Sequence, residues 1–395
     1  MSILTDSVRA FAPAGAVQRI EKASRRVQQP QSSGDLVSLA MGEPGFSTPS
    51  QIVEAAATSL RDGRTHYSPL LGESSLRGAL SERLSALSSV EARPGDIVVT
   101  HGGTAGLAAS ILSIVNPGDR VVIPDPTYSL YADVVSMAGG VVVPVPLADN
   151  LHWDIDELRN ALAGARLFIF CNPVNPTGIV HSRDELLALA TMLSGTDTVV
   201  ISDEAYADLT FTDAPFTSAV EITALRERTI YCQTFSKSYA MTGWRVGYLW
   251  GPSDLIRGAA RIHNTFNGSV NTAVQDAALA ALRTAGPDVE SMREAYARRG
   301  QLMKRMLSEI PGLELSNVEG AFYQFPRYDF DMPSVDVVAG LRERGVAVRP
   351  GSEFGEHGEY HLRLSYAASE QEIEAGVERL ADGIRELGGE CSRRS

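Results

Sequence analysis

The sequence predicts an α/β protein whose core is a mostly parallel β-sheet covered by helices on both faces. Short apolar runs rich in valine and isoleucine alternate with helical patterns between residues 46 and 285. Such nearly continuous apolar runs are typical of strands that are buried on both faces. After about residue 285, a long arginine-rich helical pattern leads to short strands and two further helices, which indicates a smaller α+β domain.

Seven of these runs are predicted to be the strands of the large sheet. They are Ile97–Thr100, Val121–Pro124, Val141–Leu147, Leu167–Cys171, Thr198–Ser202, Thr229–Gln233 and Val246–Trp250. Helical periodicity is found at Ser50–Arg61, Ser74–Leu87, Gly106–Val115, Ile155–Leu162 and Arg183–Leu193. Pro126, Pro173 and Pro176 each follow a predicted strand, and ligands of parallel sheets bind at the carboxyl ends of strands.

The chain length of 395 residues is typical of two domains. We expect a large domain at residues 46–285 and a small domain that combines residues 286–395 with the N-terminal segment 1–45. The small domain is predicted to contain helices at Val289–Ile310, near Val335–Glu343 and at Glu370–Leu387, with strands near Val346–Arg349 and His361–Tyr366.

Composition excludes several classes of protein. The formal charge of 35 − 48 = −13 would repel a phosphate backbone, so we expect no nucleic-acid partner. No apolar stretch approaches the roughly 20 residues of a membrane span, and the first residues lack a secretory pattern, so we expect a cytoplasmic protein with no membrane partner. The 3 cysteines are scattered, and we predict neither disulfides nor a metal site.

Lysine is rare in this chain, and its position is therefore informative. Only Lys22, Lys237 and Lys304 are found among the 35 basic residues, and the others are arginine. A lysine amine can form an imine, whereas a guanidinium stays protonated. Lys22 and Lys304 lie in arginine-rich helical surroundings and are interpreted as surface charges. Lys237 lies between apolar runs in TFSKSYAMTGWRVGY and is the better candidate for a Schiff base.

Several polar segments at predicted strand ends could bind an anion or a ring. Gly102, Gly103 and Thr104 separate a strand from a helix, where free backbone amides can bind a phosphate, although an ordinary turn would look the same. Asn175 lies in CNPVNPTG, which is either a ligand-binding or a purely structural turn. Near Lys237, phosphate could be held by Thr234, Ser236 and Arg245.

Asp203, Glu204 and Tyr206 follow a further strand. The carboxylate of Asp203 could bind a metal, a ribose or a protonated ring nitrogen, or could cap a helix instead. Glu204 is interpreted as structural.

Taken together, GGT, DPTY, NPVNPTG, SDEAY and TFSKSYAMTGWRVGY resemble the class I/II pyridoxal-phosphate aminotransferases of fold type I, and the aspartate aminotransferase subgroup in particular. The resemblance extends from MGEPGFSTP near residue 41 to LRLSYAAS near residue 369. It implies a large domain with a mostly parallel seven-stranded sheet plus a smaller α+β domain, and pyridoxal 5′-phosphate as cofactor.

The resemblance also implies roles for individual residues. Lys237 would form the Schiff base with the cofactor and transfer the proton, Asp203 would pair with the pyridine nitrogen, and Tyr206 and Asn175 would hydrogen-bond the ring oxygen. Tyr128 would stack on the ring face, Tyr67 would reach the phosphate of the neighbouring subunit's cofactor, and Arg363 would bind the substrate α-carboxylate. Gly42 would let the N-terminal segment close over that carboxylate. The cofactor phosphate would be held by Gly103, Thr104, Thr234, Ser236 and Arg245. Tyr128 and Tyr67 could instead be packing aromatics, Arg363 a surface charge and Ser236 a turn cap.

The implied function is transfer of an amino group between an L-amino acid and a 2-oxo acid by a ping-pong mechanism, in a homodimer with shared active sites. A lyase, or an oxidase or deaminase, on the same scaffold is the alternative. An aminotransferase-like transcription regulator is disfavoured, because the enzyme-like region begins by about residue 40.

One departure concerns the amino donor. Thr104 stands where related aspartate-specific enzymes often have a lysine for the distal carboxylate, and we predict that aspartate is not strongly preferred. Tyr128, the N-terminal segment and the stretch with Asn264, Asn267 and Asn271 are expected to meet at the distal pocket. His101, beside the phosphate loop, is interpreted as structural.

Overall fold

The computed structural model of the chain describes residues 15–25 and 35–394. The helices in these residues are α1 (Gly15–Ala23), α2 (Ser50–Arg61), α3 (Ser74–Ser88), α4 (Gly102–Ile114), α5 (Leu130–Ala138), α6 (Ile155–Leu162), α7 (Arg183–Met192), α8 (Thr223–Arg226), α9 (Ser253–Asn267), α10 (Thr272–Thr284), α11 (Gly286–Leu307), α12 (Ser334–Glu343) and α13 (Glu370–Arg394). The strands are β1 (Val37–Ser38), β2 (Ile97–Thr100), β3 (Arg120–Asp125), β4 (Val141–Pro146), β5 (Leu167–Cys171), β6 (Val199–Asp203), β7 (Thr229–Thr234), β8 (Gly247–Trp250), β9 (Leu313–Glu314), β10 (Tyr323–Gln324), β11 (Arg327–Tyr328), β12 (Val346–Ala347), β13 (Arg349–Pro350) and β14 (Leu362–Ser365).

The seven predicted strands form one seven-stranded sheet in the order β2-β8-β7-β6-β5-β3-β4. Neighbours from β4 to β7 are parallel, and β8 is antiparallel to both β2 and β7. The predicted α/β fold with a mostly parallel sheet is therefore confirmed. Because β8 runs the opposite way, its amino end lies at the same sheet edge as the carboxyl ends of the other strands.

Alternate side chains of the strands enter different hydrophobic clusters. On β5, Leu167, Ile169 and Cys171 pack on one face with α4, α5 and α9, whereas Phe168 and Phe170 pack on the other with α6 and α7. Helices α2, α3 and α10 cover the second face beside β2 and β8. Successive side chains of a strand point to opposite faces of the sheet, and both faces are packed against apolar helices. These strands therefore appear in the sequence as continuous hydrophobic runs.

The C-terminal part of the chain forms smaller sheets against helices. Strand β14 lies between β10 and β13 in an antiparallel sheet, and β1 pairs in parallel with β12. Helix α13 buries an apolar stripe at helical spacing, which consists of Ile373, Val377, Leu380, Ile384 and Leu387. None of the helices in residues 15–25 and 35–394 is both long and apolar enough to cross a bilayer.

Candidate active site

A cavity of about 340 Å³ opens at the sheet edge where β5, β6 and β7 end. Helix α4 also begins there, four residues earlier than the predicted start at Gly106, so that the two glycines form its first turn. The cavity is lined by all the predicted site residues except Tyr67: Gly42, Gly103, Thr104, Tyr128, Asn175, Asp203, Tyr206, Thr234, Ser236, Lys237, Arg245 and Arg363. The strand order thus brings together residues that are far apart in the sequence.

Lys237 follows β7 by three residues, and its amine points into the cavity. Its Nζ donates a hydrogen bond to the carbonyl oxygen of Gly42 at 2.6 Å. Burial lowers the pKa of Lys237 to about 8, and the positive charge of Arg363 acts in the same direction. More of the amine is therefore neutral near physiological pH than in an ordinary lysine, and the neutral form is the nucleophile that attacks a carbonyl carbon.

Asp203 is the last residue of β6 and is buried. The Tyr131 hydroxyl donates to Asp203 Oδ2 at 2.8 Å, and the Ala205 amide donates to Oδ1 at 3.3 Å. Burial raises the pKa of Asp203 to about 6, so the carboxylate is mostly ionised at neutral pH. Residues 205–208 form a turn rather than a helix, and the helix-cap alternative is therefore wrong. A buried carboxylate in a cavity is suited to a cationic partner.

The start of α4 and the segment after β7 form an anion-binding cradle. Gly102 has a positive φ of 77°, and a Cβ there would lie 2.9 Å from the guanidinium of Arg245. The hydroxyl oxygens of Thr234 and Ser236 lie 2.8 Å apart on the same side. Arg245 itself has a φ of 54°, a conformation that non-glycine residues rarely adopt and that is concentrated at functional sites. Helix-start amides, two hydroxyls and a guanidinium fit a phosphate dianion.

Arg363 lies on the central strand β14 of the small antiparallel sheet. It is buried, with Nη1 donating to Asn175 Oδ1 at 3.1 Å and Nη2 donating to the Ala40 carbonyl at 2.7 Å. The guanidinium carbon lies 4.6 Å and 4.9 Å from the ring centres of Tyr323 and Phe354. Its buried Nε has no hydrogen-bond partner among the described residues. The surface-charge alternative is therefore wrong, and the geometry suits a carboxylate ligand.

Two tyrosines at the site were missed from the sequence. The Tyr323 hydroxyl lies 2.9 Å from that of Tyr206 and also faces Gly42, where an added Cβ would lie 2.1 Å from the Tyr323 oxygen. Tyr131, which holds Asp203, lies one helical turn after Tyr128. This spacing of one turn from a predicted site residue could have identified Tyr131 from the sequence. Nothing in the local sequence distinguishes Tyr323 from the neighbouring aromatic residues of the core.

Other predicted residues lie away from the cavity. Tyr67 is fully exposed, with a relative accessibility of 100%. Asn264, Asn267 and Asn271 do not line this cavity of one protomer, although Asn267 lines an adjoining cavity with Thr104 and Arg245, and their place at the distal pocket or the partner subunit stays a prediction. Asn271 caps α10 by accepting from the Val274 amide at 3.3 Å. The His101 amide donates to His263 Nε2 at 3.1 Å, which is a structural contact.

Comparisons with known proteins find relatives in sequence and in fold. The sequence model of the family described as "Aminotransferase class I and II" matches residues 34–380. The aspartate aminotransferase of Pyrococcus abyssi is 36% identical over 360 residues, which cover 89% of this chain and 92% of that protein.

Two solved structures are also similar. That of the aromatic aminotransferase from Pyrococcus horikoshii has a TM-score of 0.87 at 36% identity, with 94% of this chain and 99% of that chain covered. The structure of Escherichia coli YbdL, a protein with a methionine aminotransferase function, has a TM-score of 0.83 at 28% identity. The match covers 94% of this chain and 97% of that chain.

Proposed function

Since this chain belongs to the class I and II aminotransferases, we propose that its cavity of about 340 Å³ binds pyridoxal 5′-phosphate and that Lys237, Asp203 and Tyr206 carry the catalysis. Enzymes of this family move an amino group from an amino acid to a 2-oxo acid. The observation that carries the assignment of the site is the convergence of a lysine of lowered pKa, a buried carboxylate and an anion cradle on one cavity.

The residues present fit the cofactor. Gly103, Thr104, Thr234, Ser236 and Arg245 would hold its phosphate, and the Asp203 carboxylate would hold a proton on its ring nitrogen. When bound, pyridoxal phosphate supplies an electron-accepting ring next to the Cα–H bond of the substrate. Tyr128 would lie against the ring face, and Tyr206 and Asn175 would hydrogen-bond the ring oxygen.

Lys237 would move the proton at the substrate Cα. Its pKa of about 8 places the amine close to the pH at which it must both accept and donate that proton. The carbonyl of Gly42 orients the amine through the 2.6 Å hydrogen bond. Because Gly42 adjoins Met41 and Glu43, which also line the cavity, the same segment would help to exclude water.

Arg363 would bind the α-carboxylate of the substrate with its guanidinium fork. That carboxylate is common to all amino acids, so donor selectivity must come from the rest of the cavity. Among the described residues of one protomer, the cations that line the cavity are Lys237, Arg245 and Arg363, and each has an assigned partner. Thr104 is neutral, and we therefore propose that aspartate is not strongly preferred as donor.

The donor proposal is tested by comparing kcat/KM for aspartate, glutamate, alanine, methionine, phenylalanine and arginine with one common acceptor. We expect no large advantage for aspartate, because a buried second carboxylate without a cation is strongly disfavoured. A preference for aspartate of about 100-fold, roughly 2.7 kcal/mol in transition-state binding, would contradict the proposal.

The reaction class is tested by adding an amino acid without an acceptor. An aminotransferase releases about one equivalent of 2-oxo acid per site and stops, because the amino group stays on the enzyme. Continued turnover with release of ammonia would identify a lyase or a deaminase instead.

We also propose a homodimer, since Tyr67 is fully exposed in one protomer and would contact the partner's cofactor.

A further inference from the structure

A cluster of two histidines and a glutamate lies outside the active site, beside a second cavity of about 310 Å³ that His152 lines. The potential ligand atoms of His152, His181 and Glu185 all lie within 4.8 Å of one another. His152 Nδ1 is 3.1 Å from both carboxylate oxygens of Glu185, and His181 Nδ1 is 3.1 Å from Glu185 Oε1. Three potential ligand atoms therefore lie close enough together to bind one ion.

The local fold holds two of these side chains in position. Ser182 is the N-cap of α7 and donates its amide and hydroxyl to Glu185 Oε2, at 2.7 Å and 2.9 Å. This capping box turns the other oxygen, Oε1, towards the imidazoles. The His181 ring is buried and stacks on Trp153, with ring centres 3.9 Å apart.

His152 lies in the segment between β4 and α6, and a second carboxylate faces its other nitrogen. Its Nε2 is 3.7 Å from Glu319 Oε2, and this oxygen also accepts from the Val180 amide at 2.9 Å. A carboxylate on the far nitrogen of an imidazole is the usual arrangement around a metal-ligating histidine, because it fixes the ring and increases its basicity.

We propose that His152 Nδ1, His181 Nδ1 and Glu185 Oε1 bind one divalent transition-metal ion, and specifically Zn²⁺. Two imidazoles and a carboxylate are a common zinc ligand set. Two ligands at about 2.0–2.1 Å from a tetrahedral ion lie roughly 3.4 Å apart. The two spacings of 3.1 Å to Glu185 Oε1 therefore need little adjustment, and the spacing between the two imidazole nitrogens is no more than 4.8 Å. Water from the adjoining cavity would take the fourth position.

The charge of the cluster favours a cation. Glu185 and Glu319 both face His152, and their carboxylates place two negative charges beside the potential ligand atoms. A divalent ion bound by two neutral imidazoles and the Glu185 carboxylate would leave one positive charge, which the nearby Glu319 carboxylate offsets. The expectation of no metal site rested on the cysteines, and this ligand set contains none. Because the segment before α6, the start of α7 and the segment at Glu319 meet here, the ion would hold these parts of the chain together.

The test uses the cofactor-loaded enzyme without a histidine tag and without amino acid, since both bind metals. After removal of metal with a chelator, Zn²⁺ is titrated in competition with a chromophoric chelator, and bound zinc is counted by mass spectrometry. We expect one Zn²⁺ per subunit, and an affinity at least about 100-fold lower in His152→Gln and Glu185→Gln. Glutamine at residue 185 preserves the capping box, so that variant should fold.

His66→Gln is the matched control, because His66 is an exposed histidine away from the cluster. It should bind Zn²⁺ like the unmodified enzyme. Aminotransferase activity of the metal-free variants shows that they are folded. Either absence of a tight Zn²⁺ site in the unmodified enzyme or equal affinities in the unmodified enzyme and His152→Gln would overturn the proposal, and the cluster would then be a proton-bridged network.

Discussion

Substitution of Arg363 by lysine should impair every amino donor by the same factor. The guanidinium is buried between the rings of Tyr323 and Phe354 and donates to Asn175 and to the Ala40 carbonyl. Its planar fork can also present two N–H groups to a carboxylate, whereas a lysine amine is a single point charge. The positive charge is retained, and the bidentate geometry is lost.

The magnitude follows from the loss of one charged hydrogen bond to the substrate. Such a bond contributes about 1.5–3 kcal/mol, which corresponds to a decrease in kcat/KM of about 10- to 160-fold. Arg349→Lys is the matched control, because Arg349 lies opposite Arg363 in the same sheet and pairs with Glu353 rather than lining the cavity. The control should retain nearly normal kcat/KM.

The assay is the amino-donor half reaction, followed at the absorbance bands of the cofactor with alanine, methionine and phenylalanine. Equal losses for all three donors in Arg363→Lys would support binding of the shared α-carboxylate. An unchanged kcat/KM would refute the assignment, because it would exclude contact between Arg363 and the substrate. A loss confined to one donor would also refute it, because it would place Arg363 at the side chain of that donor.

Three other substitutions test separate parts of the account. Asp203→Ala should lower kcat by at least about 100-fold with the cofactor still bound, because the ring nitrogen loses its ionic partner, and near-normal turnover in steady-state assays would disprove this role. Tyr67→Phe should weaken cofactor retention roughly tenfold by equilibrium dialysis, and sedimentation that shows a fully active monomer would exclude the shared site. Glu204→Gln tests whether the buried Glu204 carboxyl makes the stability of the protein depend on pH. Burial raises the pKa of Glu204 to about 8, so the folded state keeps a proton that the unfolded state loses above about pH 4.5. The free energy of unfolding should therefore fall as pH rises from about 4.5 to about 8, by up to about 2.7 kcal/mol between pH 6 and 8. Urea unfolding should show this fall in the unmodified protein and a smaller dependence on pH in the variant. An equal dependence on pH in both proteins would show that Glu204 is not the cause.

The large sheet was predictable because its strands are buried on both faces and carry long apolar runs. Helix α4 begins at Gly102 rather than Gly106, since the glycine pair that reads as a loop also supplies the first helical turn. The antiparallel direction of β8 was not predicted, because the apolar pattern of a buried strand does not encode its direction. The domain boundary near residue 285 stays a prediction, which limited proteolysis would test.

The glycine pair, Asn175, Asp203 and Lys237 could be singled out because each follows a strand of the large sheet, whereas Arg363, Tyr128, Tyr67 and Gly42 were named only through the resemblance to the family. What the sequence could not supply were contacts between distant segments, such as the hydrogen bond of Tyr323 to Tyr206 and that of Tyr131 to Asp203. The sequence also could not show that Asn271 serves as a helix cap, and contact of the Asn264–Asn271 stretch with substrate or a partner subunit stays a prediction. The His152, His181 and Glu185 cluster also depends on tertiary structure, because His152 lies on a different segment from the other two.

The identity of the cofactor-bound lysine tests the central claim most directly. Sodium borohydride would make any lysine–cofactor bond permanent, and proteolysis with mass spectrometry would then locate the labelled peptide. We predict a single adduct on Lys237, which lies in the cavity, while Lys304 contacts Asn317 on the surface. An adduct on Lys22 or Lys304, or none at all in enzyme loaded with pyridoxal phosphate, would contradict the account.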